Sequence, residues 1–167
     1  MLDTTMFLTV LTGVMIAGLL GYLFYLQRKA NTGEKENKRS SNTLQLQAYE
    51  RLTLLVDRIT IPNLISRSSH EGLSAYDMQM ILTKSIRDEF DYNITQQIYV
   101  TPETWNAVKN LKEKNLLIIN QITSALPTGA SGFDLNRALL EFLMSDSKAN
   151  LSELVSEALS YEAKKLL

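Results

Sequence analysis

Four charged residues within five positions form the densest polar cluster in the sequence. Arg87, Asp88, Glu89 and Asp91 lie in the stretch IRDEFDY, and paired carboxylates can transfer protons or hold Mg²⁺. Successive helix positions point in different directions, so these groups do not converge without residues from elsewhere in the chain. We interpret the cluster as a solvated helix face, with contact to a partner as its candidate function.

Polar and aromatic residues a few positions further on extend this predicted partner surface. Gln96, Gln97 and Tyr99 belong to it, because aromatic side chains often anchor protein contacts. Trp105 lies at the spacing of an apolar helix stripe and is predicted to be in the core.

Other residues that could take part in chemistry lack suitable partner residues nearby in the sequence. His70, beside Glu71, is the only histidine, and the chain has no cysteine, so neither metal binding nor thiol chemistry is expected. The S-x-x-K match that begins at Ser145 lacks the partner motifs of Ser-Lys hydrolases. GASG at 129–132 lacks both the lysine and the preceding strand of a phosphate loop. We therefore expect no catalytic residue, no cofactor and no enzymatic activity.

An apolar segment near the N-terminus predicts that the protein is anchored in a membrane. Residues 6–26 contain no charge, and 21 helical residues cover about 31 Å, the thickness of a bilayer core. A cleaved signal peptide is the alternative, but no basic residue precedes the segment and no A-x-A-like site follows it. Only Asp3 precedes it, whereas five basic residues follow, which predicts an outside N-terminus and a cytoplasmic C-terminal part. These five are Arg28, Lys29, Lys35, Lys38 and Arg39.

Small residues recur four positions apart inside this apolar segment. Gly13, Ala17 and Gly21 share one helix face, a spacing that allows membrane helices to pack closely. Glycine is also common in membrane helices without such a role. The sequence does not choose between an integral membrane protein partner and a homo-oligomer through the anchor.

Composition divides the chain into three parts. Residues 1–29 are predicted to be the transmembrane anchor, 30–42 (ANTGEKENKRSSN) a flexible polar and basic linker, and 43–167 a helical cytosolic domain. This domain has twelve Lys and Arg against fifteen Asp and Glu, a net charge of −3. An acidic balance argues against nucleic-acid binding.

Apolar residues of the predicted domain recur at helical spacing, first in TLQLQAYERLTLLVDRI. This helix is expected to stop near Pro62 and to be followed by a polar loop, ISRSSHEGL. The stripe comprises Leu44, Ala48, Leu52, Leu55 and Ile59, widened by Tyr49 and Val56.

Capping signals predict four more helices. The second begins at Ser74 and runs to about 93, and the third begins at Thr101 and ends before Pro127. DLNRALLEFLM forms the fourth, and NLSELVSEALSYEAKKLL forms the fifth, with Asn150 as its cap. QQIYV is predicted to be a short extended connection, and we identify no internal repeat. The predicted fold class is all-α: one transmembrane helix followed by a four- to five-helix bundle.

Two stretches carry a resemblance to a known family. AYERLTLLVDRITIPNLISR and IRDEFDYNITQQIYVTPETWNAVKNLKE resemble a family of uncharacterised single-pass membrane proteins from Bacteroidetes-type bacteria, and QQIYVTPETW is the most specific part. The resemblance implies a bacterial cytoplasmic (inner) membrane and an all-helical cytosolic domain, and it implies no site residues.

The anchor, the short linker and the lack of a recognisable site favour one function over another. We expect an anchored interaction module, an accessory or scaffold subunit of a bacterial inner-membrane complex. The alternative is a membrane-tethered enzyme or small-ligand sensor with a pocket between helices. Converging polar groups in such a pocket would favour the alternative, whereas a closed core with an apolar outer patch would favour the module.

Overall fold

Helices form every regular element in the part of the chain that the structure describes. The computed structural model describes residues 4–68, 72–145 and 151–167, without the side chains of 4–5 and 30–37. The all-α prediction is confirmed for these ranges. The elements are α1 (Thr4–Arg58), α2 (Ile61–Ser68), α3 (Ala75–Tyr92), a 3₁₀ helix (Ile94–Ile98), α4 (Pro102–Ala125), α5 (Gly132–Ser145) and α6 (Leu151–Lys164).

The chain divides into two compact units, Met1–Thr43 and Leu44–Leu167. In the first unit, Met6–Lys29 is long and apolar enough to cross a membrane, and none of it is buried within the protein. Residues 30–42 are helical, whereas the sequence analysis predicts a flexible linker there. The segment contains no proline that would break a helix, and Glu34 and Lys38 have the spacing that favours one.

In the second unit, the residues of α1 from Leu44 onward bury one apolar stripe. Ala48, Leu52, Leu55 and Ile59 are all 0% exposed, as their spacing predicts. Leu44 was expected on the same stripe but is 45% exposed. It is the first residue of this unit, one turn before the stripe becomes covered.

The structure corrects the polar loop that was predicted to follow the first helix. The helix α1 ends at Arg58, and α2 occupies the beginning of the stretch that was predicted to be a polar loop. Pro62 is the second residue of α2, where its missing N–H costs no helical hydrogen bond. The apolar residues Ile61, Leu64 and Ile65 are buried in the core, and this burial stabilises a helix of only eight residues.

Side chains from two later helices cap the end of α1. Asn63 donates from Nδ2 to the carbonyl oxygen of Asp57 at 2.9 Å, and Arg67 donates to that of Arg58 at 2.6 Å. The buried Asn115 of α4 donates to the carbonyl oxygen of Ile59 at 2.8 Å. The last carbonyls of a helix lack partners within the helix, so these three bonds fix where α1 stops.

The predicted N-caps of α3 and α4 are confirmed. Ser74 accepts from the N–H of Asp77 at 3.1 Å, and Thr101 accepts from that of Thr104 at 3.3 Å. The connection between the two helices is a 3₁₀ helix, Ile94–Ile98, so the prediction of an extended QQIYV segment is wrong. Its backbone hydrogen bonds join residues three positions apart, the spacing that defines a 3₁₀ helix.

The sequence analysis identified no internal repeat, yet two loops with a similar seven-residue stretch pair with each other in the structure. GLSAYDM at 72–78 and GASGFDL at 129–135 share Gly-x-Ser, an aromatic residue, Asp and an apolar residue, 57 positions apart. Gly72 and Gly129 have φ values of 81° and 88°, which favour glycine. Ser74 and Ser131 form an antiparallel bridge. The loops that precede α3 and α5 therefore share a sequence pattern and pair with each other.

One continuous core joins the helices of the second unit. The helix α3 packs on both α4 and α5, and α6 packs on α4. The fully buried large side chains come from all six α-helices, which makes the interior closed. They include Leu52, Leu55, Ile59, Leu64, Met78, Leu82, Ile86, Leu111, Ile119, Leu135, Leu139 and Leu159.

Candidate functional site

The charged cluster of α3 divides between the core side and the solvent side of the helix. Glu89 is half-buried and binds Arg58, with 2.5 Å between its Oε1 and the arginine Nη2, while Arg67 lies 3.6 Å away. Asp88 pairs instead with Lys84, one turn earlier. Arg87 and Asp91 are exposed. The carboxylates therefore do not converge, and the described residues contain no group of three His, Cys, Asp or Glu that could hold a metal ion.

Glu89 connects three helices. Its carboxylate accepts the hydrogen bond from Arg58 Nε at 2.7 Å, and this bond is the main reason why the pKa of Arg58 is raised above its ordinary value. Arg67 also caps α1, as described above. Because Arg58 is solvent-exposed, the pair contributes little to stability. It lies where α1, α2 and α3 meet.

The other residues of the predicted partner surface are also divided between exposed and buried positions. Gln97 and Tyr99 are exposed, but Gln96 is only 8% exposed, so its assignment to an accessible partner surface is corrected. Trp105 packs on the core, with its ring centroid 5.1 Å from that of Phe90. The 3₁₀ turn directs the side chain of Gln96 inward, which sequence spacing alone does not reveal.

A groove runs between α1 and α3 beside the charged cluster. It has a volume of about 510 Å³, and Arg51, Leu54, Asp88 and Tyr92 are among its lining residues. Leu54 and Tyr92 are 57% and 77% exposed. We call this feature the first groove. Sequence analysis did not predict it, although Arg51 and Leu54 lie at helical spacing opposite the buried stripe.

Two further grooves border α6. The second groove lies between α1 and α6, has a volume of about 1170 Å³ and shares Arg51 and Leu54 with the first. The third groove has a volume of about 510 Å³ and includes Asp57, Glu153 and Glu157. The first two grooves thus flank one ridge of α1, formed by Arg51 and Leu54.

Several predicted features lie partly or wholly outside the described residues. His70 and Glu71 fall in the undescribed range 69–71, and Asn150 falls in 146–150. The S-x-x-K match shares only Ser145 with the described part of the chain.

The small-residue face of the apolar segment is open. A Cβ atom added at Gly13 or Gly21 would meet no atom within 4 Å, and Ala17 is exposed. Contacts among the described residues therefore do not require small side chains at these positions.

Comparisons with known proteins identify a family but no characterised relative. No curated protein and no solved structure matches the chain. A family model described as a family of unknown function, DUF7935, matches residues 3–166. Because the match covers nearly the whole sequence, the chain belongs to this family.

Proposed function

We propose that the protein is a membrane-anchored helical interaction module, an accessory or scaffold subunit of a bacterial inner-membrane complex. The apolar segment anchors it in the lipid bilayer, with the N-terminus outside and the helical unit in the cytoplasm. The helical unit then contacts other proteins near the membrane surface.

The exposed apolar segment carries this proposal. Fifteen large apolar or aromatic side chains between Met6 and Leu26 are more than 40% exposed. Leaving such a side chain in water costs about 1.5 kcal/mol or more, so the segment as a whole disfavours an aqueous state by more than about 20 kcal/mol. A bilayer removes this cost without a protein partner for every side chain.

The surface of the helical unit supports an interaction role. Its core is closed, while Leu54, Tyr92 and Ile98 are each more than half exposed. Tyrosine and arginine are enriched among residues that dominate binding energy, and both occur in the first groove. Its net charge of −3 makes a protein a better partner than a nucleic acid.

Purification from native membranes tests the proposal. We expect the tagged full chain to remain in the membrane pellet after alkaline carbonate extraction and to co-purify in mild detergent with an integral membrane protein at stoichiometric level. Recovery in the soluble fraction would contradict the anchor. Elution without any other protein would contradict the subunit role and favour a ligand-binding or enzymatic function.

Labelling of single cysteines tests the orientation. The chain has no cysteine, so Asp3→Cys and Ser40→Cys each provide one thiol on either side of the apolar segment. We expect an impermeant maleimide to label intact cells that carry Asp3→Cys and to label Ser40→Cys only after lysis. Labelling of Ser40→Cys in intact cells would contradict the cytoplasmic placement.

A further inference from the structure

A basic segment directly follows the apolar segment of α1. Residues 28–39 contain five lysine and arginine residues and two glutamates, a net charge of +3. They belong to the same compact unit as the apolar segment, and Arg28, Lys38 and Arg39 are exposed. The chain therefore presents positive charge immediately beyond the residues that we place in the bilayer.

The helical conformation sorts these charges by direction. Residues 30–42 are helical, and successive helix residues are rotated by about 100°, so four of the five basic residues fall within an arc of about 100°. We call these four the basic face: Arg28, Lys35, Lys38 and Arg39. By the same register, Glu34 and Glu36 lie outside the arc, one on each side of it. A flexible linker of the same composition would have no such face.

The basic face lies within electrostatic reach of lipid headgroups. Lys35 and Arg39 lie about 14 and 20 Å beyond Leu26 along the helix axis, and the headgroup layer occupies about 5–7 Å. Helix side chains lean toward the helix N-terminus, which here is the side of the bilayer, and membrane helices are tilted by about 20° on average. A tilt toward the basic face therefore brings these charges to within about one Debye length, roughly 8 Å, of the headgroups.

We propose that the basic face binds anionic phospholipid headgroups at the membrane surface beyond Leu26. A second copy is a poor occupant, because two parallel copies of one face place like charges together. The arc also contains no apolar residue between Arg28 and Arg39 that could anchor a protein contact. The inference rests on the proposed function, since it requires the apolar segment to lie in a bilayer.

Energy transfer to labelled lipids tests the contact. The full chain with Ser40→Cys carries a donor dye outside the basic face and is reconstituted into vesicles of four parts phosphatidylcholine to one part phosphatidylglycerol. The acceptor dye is attached to an acyl chain of either lipid, so the headgroup stays intact. We expect phosphatidylglycerol to associate near the donor about five-fold more than phosphatidylcholine, the factor for about 1 kcal/mol per basic residue. In 1 M NaCl, where the Debye length is about 3 Å, this preference should disappear.

Neutral variants identify the residues that cause the preference. We expect the combination of Lys35→Gln, Lys38→Gln and Arg39→Gln to abolish it. The matched control removes three exposed basic residues of the helical unit and should keep it. These control changes are Arg51→Gln, Arg87→Gln and Lys109→Gln.

A charge exchange separates the face from net charge alone. Lys35→Glu combined with Glu36→Lys keeps the composition but places a glutamate on the basic face, so it should lower the preference. Circular dichroism confirms that each variant keeps its helical content.

Several results would overturn the proposal. Equal transfer to both lipids is one, as expected if the basic face binds an acidic protein instead. A preference that survives the three neutral changes, falls equally in the control or is unaffected by the charge exchange also contradicts it. Carbonate extraction of the same vesicles separates this inference from the proposed function. A chain that stays in the pellet without a lipid preference contradicts only the lipid contact, whereas an extracted chain contradicts the anchor.

Discussion

The hydrogen bond from Asn115 to the end of α1 gives the sharpest stability prediction. Asn115 is 6% exposed, and its Nδ2 donates to the carbonyl oxygen of Ile59 at 2.8 Å. Replacement of Asn115 by Ala removes the donor and leaves a helix-terminal carbonyl without this partner. We therefore expect Asn115→Ala to weaken the junction between α1 and α4.

The expected magnitude follows from the cost of an unsatisfied buried polar group. Loss of one partner of a buried hydrogen bond costs about 1–3 kcal/mol, and we expect about 2 kcal/mol here. This corresponds to a roughly 30-fold change in the unfolding equilibrium constant and to a decrease in Tm of about 8 °C for a domain of this size.

Trp105 provides the signal for the assay. It is the only tryptophan in the chain and packs against Phe90 in the core. Its fluorescence should therefore change when the helical unit unfolds in urea, with the full chain held in detergent.

Two further variants identify the cause of the effect. Asn110→Ala removes an exposed asparagine from the same helix and should change the free energy of unfolding by less than about 0.5 kcal/mol. Asn115→Asp keeps the side-chain volume but lacks the donor, so we expect it to be at least as destabilising as Asn115→Ala. The reasoning is refuted if Asn115→Ala and Asn110→Ala have equal effects, or if Asn115→Asp retains wild-type stability.

Two other predictions concern pH dependence and membrane packing. Hydrogen bonds from the side chain and backbone of Ser131 hold the pKa of Asp134 below its ordinary value. A lowered folded-state pKa adds stability that is present above the unfolded-state pKa, near 3.9, and is lost as pH falls through the folded-state value. Below about pH 4, Ser131→Ala should therefore lose stability less steeply than wild type in urea titrations, and parallel slopes would contradict this. Separately, Ala17→Leu combined with Gly21→Leu should abolish assembly through the small-residue face in native gels of membrane extracts, whereas Thr12→Leu, which is not three or four positions from Gly13, Ala17 or Gly21, should not. Unchanged assembly of the double variant would count against a packing role.

Much of the helical architecture is predictable from short-range signals. Ser74 and Thr101 mark helix starts because their hydroxyl groups accept the N–H groups that a first turn leaves unpaired. Ala48, Leu52, Leu55 and Ile59 indicate the buried face because their spacing places them on one side of a helix. Such signals act within one or two turns, so a single sequence is sufficient to read them.

Other features of the fold depend on contacts that short-range sequence signals do not describe. The similarity of GLSAYDM and GASGFDL was visible in the sequence, since five of the seven positions match in type. Only the bridge between Ser74 and Ser131 shows that the two loops pair. The short helix α2 is stabilised by burial against the core, which outweighs the turn signal around Pro62. The inward side chain of Gln96 follows from a 3₁₀ turn that connects two packed helices.

The sequence by itself determined the all-helical class, the main caps, the apolar segment and most of the buried stripe, because these depend on residue type and periodicity along the chain. Only the tertiary structure decided that Glu89 binds Arg58 rather than forming an acidic centre with Asp88. It also placed Arg51, Leu54 and Tyr92 around one groove and Asn115 at the end of α1. Each of these contacts joins residues more than 30 positions apart, and such distant residues meet only when the packing of the whole core fixes how the helices lie against one another.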